Sequence, residues 1–176
     1  LGRPVIYLPS TGSTNDWASQ YPARKLEHGT LVITDNQTHG KRQYQRNWRA
    51  ETGKNITCSV VLHPDRTQGI HLLTMTVALS CLNTFQDYTS LEGAIKWPND
   101  IILDNKKIGG ILTETAFLGS KLKSVIIGLG VNINQQQFSG SYETPPTSLA
   151  VSAGTQSLDR AEILANWCLN FERHIN

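Results

Sequence analysis

The chain has 176 residues, 39% hydrophobic and 17% charged, a composition that fits one folded domain and excludes a disordered or fibrous polymer. Its formal net charge of +2 is too small to argue alone for a nucleic-acid or anionic-membrane surface. No apolar run approaches the roughly 20 residues that cross a bilayer; the most apolar stretch, Ser124–Ile133, is broken by Gly128, Gly130 and Asn132.

In chain order, Val5–Leu8 reads as a short strand. Ser13-Thr14-Asn15-Asp16 then reads as a helix start, a hydroxyl cap with an acid three positions on. Thr30–Thr34 is a second strand and Ile56–Leu62 a third, closed by His63-Pro64. Asp65 or Thr67 can cap the next helix, whose apolar positions Ile70, Leu73, Val77, Cys81 and Phe85 recur at helical spacing. Four apolar strands follow: Ala94–Trp97, Ile101–Leu103, Lys107–Phe117 and Leu122–Ile133. The links Pro98–Asp100, Asp104–Lys106 and Leu118–Lys121 are too short for a crossover helix, so these strands form an antiparallel meander. A last helix over Asp159–Ile175 puts Ala161, Leu164, Cys168, Phe171 and Ile175 on one face. The pattern predicts an α+β fold in a single domain, residues 1–176.

The N-terminus reaches Pro9 without the apolar core of a signal peptide, and Cys58, Cys81 and Cys168 are odd in number with no CxxC pairing. Both point to structural thiols in a cytoplasmic protein. No histidine stands in an HExxH or other metal spacing, so no fixed protein cage for a metal is expected. Gly128-Leu129-Gly130 lacks the third glycine and the following helix of a dinucleotide fingerprint, and no GxxxxGK[ST] or GxSxG motif occurs.

Three clusters remain. The run His39–Arg49 carries Lys41, Arg42, Arg46 and Arg49 without an acid, and is either a solvated loop or a clamp that closes on a phosphate. Trp48 at its end is a core anchor or a stacking face. In Lys96-Trp97-Pro98-Asn99-Asp100, turn chemistry accounts for Pro, Asn and Asp, but a lysine inside an apolar strand costs free energy unless paired. In Lys107-Ile108-Gly109-Gly110, adjacent glycines weaken a strand and suit close approach by a backbone or ligand. With Asn132 ending the next strand and facing the same cleft, these clusters outline an anion or nucleotide site.

Taken together, the motifs resemble the catalytic domain of biotin–protein ligases. They are Ser13-Thr14-Asn15, Gln37-Thr38-His39-Gly40 through Trp48, Gly53-Lys54-Asn55, Lys96–Asp100, Lys107–Gly110 and Ile127–Ile133, in order over about 120 residues. The resemblance implies a mixed, largely antiparallel sheet with helices packed on one face, like class II aminoacyl-tRNA synthetases. It implies ATP-dependent activation of biotin to biotinyl-5′-AMP, with Mg²⁺ carried by ATP, then transfer to a lysine of a biotin carboxyl carrier domain. The catalytic residues it implies are Lys107, Lys96 and Asp100. Biotin contacts would be Ser13, Thr14, Asn15, Gln37, Gly40, Lys41, Gln43, Lys107, Gly110 and Gly128. Nucleotide contacts would be Lys41, Arg42, Arg46, Trp48, Asn55, Asn99 and Asn132. No nucleic acid or membrane partner is expected, and a homodimer is an open option. A weakened biotin-binding regulatory module and a lipoate-type ligase are the alternatives. The chain departs from the family at the basic loop, where Lys41 replaces an arginine and Arg42 and Gln45 replace glycines. A tighter φ range and the lost guanidinium fork predict easier release of the adenylate. The N-terminal DNA-binding domain and the C-terminal small β domain of some members are also expected to be absent.

Overall fold

The computed structural model describes residues 1–21, 26–41, 47–48, 50–64 and 69–175, with only the backbone at 41, 47, 48 and 118. The described elements are β1 (Val5–Thr11), α1 (Thr14–Gln20), β2 (Thr30–Gln37), β3 (Gly40–Lys41), β4 (Asn47–Trp48), β5 (Ile56–Leu62) and α2 (Ile70–Phe85). They continue with β6 (Gly93–Lys96), β7 (Asp100–Leu103), β8 (Lys106–Leu118), β9 (Lys121–Val131), α3 (Leu149–Ser152) and α4 (Arg160–Ile175). Among them, a seven-stranded sheet runs in the order β1-β2-β5-β9-β8-β7-β6, and β3 and β4 form a two-stranded ribbon.

The expected meander is present: β6, β7, β8 and β9 are successive antiparallel neighbours. Asp104 and Asn105 make the β7–β8 turn with φ of 49° and 59°, the left-handed pair that a two-residue hairpin requires and that Asp and Asn tolerate best. β1 is the parallel strand, paired with β2, and α1 in the connection supplies the crossover.

The sheet separates two unlike faces. Alternate residues of β5, namely Ile56, Cys58, Val60 and Leu62, join Val77, Cys81 and Phe85 of α2 and Ile163, Trp167 and Phe171 of α4 in the main core. The opposite face carries α1, with Trp17 and Ala18 packed on Val32, Val61 and Ile126. The two long helices thus share one face, and the short α1 is the exception to the one-sided packing expected. On α4 the buried set is Ile163, Leu164, Trp167, Cys168 and Phe171, whereas Ala161, expected inward, is exposed. Asp159 stands just before the helix, where its Oδ1 accepts from the backbone of Ala161 at 2.8 Å and Glu162 at 3.2 Å. The caps expected at Asp65 or Thr67 lie outside the described residues. No described helix is long and apolar enough to cross a membrane.

Gly109 shows how closely β8 and β9 approach. A Cβ there would lie 2.7 Å from the Gly130 carbonyl oxygen and 3.2 Å from Val131 Cγ2. Backbone has nowhere to move in the middle of a sheet, so Gly109→Ala is expected to cost about 1–3 kcal/mol. Urea unfolding measures it, and an unchanged midpoint would contradict the close approach.

At the far edge, Asp35 accepts from Tyr7 Oη at 2.6 Å and from Arg160 Nη1 at 2.9 Å. The Tyr7 hydrogen bond first, and then Arg160, hold its carboxyl below the ordinary value of 3.8. A depressed acid stabilises the fold above its unfolded pKa, and that contribution is lost as pH falls through the folded value. The stability difference between the wild type and Asp35→Asn is therefore expected to be constant above about pH 5 and to shrink below about pH 4. Thermal melts across pH read it; a gap that widens on acidification would be the wrong sign.

Candidate active site

The α1-bearing face holds a cleft of about 260 Å³, lined by residues of α1, β2, β5 and the meander. Strand register explains its floor. Thr57, Gly130, Gly110, Asp100 and Lys96 pair successively across β5, β9, β8, β7 and β6. The neighbouring row is Ser59, Gly128 and Leu112. Paired residues in antiparallel strands share a face, so Gly110 and Gly130 leave a side-chain-free trough. A Cβ on Gly110 would meet Asp100 Oδ1 at 3.7 Å and Lys107 Cε at 3.8 Å, so this glycine looks onto the charged pair.

That pair is the ion pair between Lys107 Nζ and Asp100 Oδ1, with both side chains about four-fifths buried. Lys96 is not buried in an apolar strand as its sequence context suggested. β6 is the sheet edge, the side chain is half exposed, and Nζ reaches Thr144 Oγ1 at 3.1 Å and Glu143 at 3.8 Å. One segment steadies both lysines, because Lys107 N donates to the Pro145 carbonyl and Thr147 N donates to the Lys107 carbonyl. Asn99 lines the cleft with its amide donating to Ile111 O at 2.9 Å.

Across the trough stands the N-terminus of α1. Ser13 caps it, its Oγ accepting from Asp16 N at 3.3 Å. Gln37 Oε1 accepts from Thr14 N at 2.9 Å. Asn15, expected among the biotin contacts, turns its amide into the protein: Nδ2 donates to Leu112 O at 3.2 Å and Glu114 Oε2 at 2.7 Å, and Oδ1 meets Ser59 Oγ at 2.6 Å. Asn15 and Gly128 both line the cleft, and Gly128 makes room for Asn15, since a Cβ there would sit 2.5 Å from Asn15 Oδ1.

Two expected nucleotide contacts do not line the cleft. Asn55 is buried, with Nδ2 on Gln135 Oε1 at 2.7 Å and Oδ1 accepting from Ile133 N at 3.0 Å. Asn132 is buried with Nδ2 on Thr147 O at 3.0 Å, which corrects the expectation that it faces the cleft. Both hold the chain that leaves β9. Gly40 pairs with Trp48 at the base of the basic loop. Arg42, Gln43, Arg46 and the side chains of Lys41 and Trp48 lie outside the described residues.

Sequence reading missed Ser59, Glu114 and Glu143. Alternation along β5 does mark Thr57 and Ser59 as facing away from Ile56, Cys58 and Val60, and an acid within Thr113-Glu114-Thr115 is conspicuous. Cys58 lies beside the cleft as a fully buried thiol whose pKa burial pushes up, which makes it a poor nucleophile. Among the described residues no group of three or more His, Cys, Asp or Glu could hold a metal ion.

The sequence profile of the biotin/lipoate A/B protein ligase family matches residues 7–132. The bifunctional ligase/repressor BirA of Bacillus subtilis is 35% identical over 98% of this chain and 54% of its own length. The biotin–[acetyl-CoA-carboxylase] ligase of Paracoccus denitrificans is 31% identical over 89% of this chain and 67% of its own. A Leishmania major biotin protein ligase crystallised with biotinyl-5-AMP superposes with a TM-score of 0.80 at 25% identity, covering 97% of this chain and 74% of that one. The chain spans about half the length of several curated relatives it matches. The ordered motifs, the glycine-floored cleft and the profile over most of the chain together place it in the biotin/lipoate A/B protein ligase family.

Proposed function

We propose that this chain is a biotin–protein ligase: it activates biotin with ATP to biotinyl-5′-AMP, releasing pyrophosphate, then transfers biotin to a lysine of a carboxyl carrier protein. The observation that carries the reading is the Lys107–Asp100 pair on a side-chain-free floor, facing the polar corner of Ser13, Thr14 and Gln37 across one cleft. Relatives whose names state this activity, and the biotinyl-5-AMP bound to the Leishmania protein, support it.

In the first step a biotin carboxylate oxygen bonds to the α-phosphorus of ATP as the bond to pyrophosphate breaks. Two anions meet, so a fixed cation lowers the barrier, and Lys107 is that cation. Mg²⁺ brought with ATP would supply further charge neutralisation; the protein's own work is to position and to exclude water. Lys41, Arg42 and Arg46 add cations from the basic loop, Trp48 offers a face for adenine, and Asn99 flanks the phosphate side. In the second step the acceptor amine bonds to the activated carbonyl carbon, AMP leaves, and the amine loses a proton. Asp100, once Lys107 turns to the ligand, is placed to orient or deprotonate that amine. Lys96 guides the anion at the exposed rim. Buried free thiols at Cys58, Cys81 and Cys168 suit a reducing, cytoplasmic setting. A homodimer belongs to the same reading and is decided by light scattering.

The test is biotin-dependent pyrophosphate release from ATP, followed by mass spectrometry of a carboxyl carrier domain. A mass increase by one biotinyl group is expected, and lipoate in place of biotin should give none. Pyrophosphate without transfer would sink the acceptor assignment, and turnover with lipoate alone would sink the substrate. Asp100→Ala should fail in transfer from preformed adenylate; normal transfer would remove its proposed role.

A further inference from the structure

We propose that Glu143 receives the ammonium of the acceptor lysine at the mouth of the cleft, and so sets the preference of the second step for a cationic amine. This deepens the ligase reading above and rests on it.

Entry of that lysine meets a charge problem. The charged side chains that line the cleft among the described residues are Lys96, Asp100, Lys107 and Glu143. They form two pairs in depth. Lys107 and Asp100 make the inner one, about four-fifths buried, and Lys96 and Glu143 the outer one, with side chains 49% and 78% exposed. The basic run 39–49 carries Lys41, Arg42, Arg46 and Arg49 and no acid. An acceptor lysine is an ammonium near neutral pH, and it must pass Lys96 before it meets the adenylate. Like charges a few ångströms apart repel by more than the thermal energy even in bulk water.

Glu143 is placed to offset that repulsion. Its carboxylate lies 3.8 Å from Lys96 Nζ, too far for a hydrogen bond, while Nζ makes its short contact, 3.1 Å, to Thr144 Oγ1. The acid is near the cation without being committed to it, and exposed pairs of this kind hold weakly. Its backbone is anchored close by. Lys107 N donates to Pro145 O at 2.8 Å and Thr147 N donates to Lys107 O at 3.0 Å, which ties the segment to the strand that carries Lys107. A free carboxylate on a fixed base can thus turn to an incoming ammonium. Trp97, 81% exposed and lining the same cleft, offers its ring to the methylene stem of that lysine.

The two acids then serve in succession. Phosphate oxygens draw both lysines, and each carboxylate is left to attract the next cation that arrives. Glu143 meets the amine first, as an ammonium; no bond is made there and the proton stays on nitrogen. Asp100 lies deeper, beside the floor. Glu143 is a specificity residue that touches the acceptor, not the adenylate.

Transfer from preformed biotinyl-5′-AMP on the full chain, run with a carboxyl carrier domain and separately with hydroxylamine, tests this. Hydroxylamine is small and uncharged at neutral pH, so it needs no acid at the rim. The ratio of the two kcat/KM values should fall about 3- to 10-fold in Glu143→Gln and further in Glu143→Lys, through KM for the carrier domain. Glu143→Asp, which keeps the charge, should hold most of the ratio. Added salt should shrink the fall, because it screens an exposed charge, whereas a purely structural loss would persist. A ratio in Glu143→Lys within about twofold of wild type overturns the proposal, and so does an equal loss with both nucleophiles. A wild type that transfers to hydroxylamine but not to the carrier domain overturns the acceptor assignment as well. One that holds no adenylate overturns the ligase reading with it.

Discussion

Lys107→Ala is expected to lower biotin-dependent pyrophosphate release by about 10²- to 10³-fold, the usual loss when one preorganised charge donor is removed. Two effects act in the same direction. The cation proposed to offset the meeting of carboxylate and phosphate is gone, and Asp100 is left without the Lys107 ion pair, its negative charge facing the incoming anions. Lys107→Arg restores the charge but not the shape, because a planar fork replaces a compact ammonium, and recovers only part of the rate. The fold should be little affected, since the Lys107 backbone, not its side chain, anchors the 145–147 segment. Steady-state pyrophosphate release beside a thermal melt separates the two. Activity within threefold of wild type would remove Lys107 from the chemistry.

Phe171→Ala is expected to destabilise the fold by about 3–5 kcal/mol. The ring is fully buried on α4 and stacks on Trp167 with centroids 5.5 Å apart. Its loss leaves a hole between α4, α2 and the sheet, in a cluster that includes Val77, Cys81 and Leu31. For a domain of this size the melting temperature should fall on the order of 10 °C. Denaturant unfolding gives the figure, and a loss below about 1 kcal/mol would mean that the surroundings collapse into the space. The cleft lies on the other face of the sheet, so biotin binding measured well below the melting temperature should change much less than stability.

The meander was legible because its links are so short that only hairpins fit them, and Asp104-Asn105 carries the turn chemistry in two residues. The floor was half legible. Lys107 and Gly110 stand out in a single strand, but the partnership of Gly110 with Gly130 depends on the β8–β9 register, which a shift at Ala116 and Phe117 resets. Lys96 was misread because nothing local tells an edge strand from a central one. Asn15 lines the cleft, but the bonds of its amide were not legible for a similar reason. The residues that claim its amide, Leu112 and Glu114, are 97 and 99 positions away, and only the folded sheet brings them under α1. On α4, Ile163 and Trp167 were missed because a narrow stripe was drawn where the helix buries a broader arc in the core shared with α2 and the sheet.

The notch at Gly128 has an evolutionary consequence. Asn15 and Gly128 occupy one volume, with the amide of the first filling the space where a Cβ of the second would stand. Side-chain bulk can therefore sit on the helix or on the strand but not on both, and the two positions cannot drift independently. A larger residue at 128 becomes tolerable only in a lineage that has already shortened residue 15, and that lineage has dismantled the link between Ser59 and Glu114 on the way.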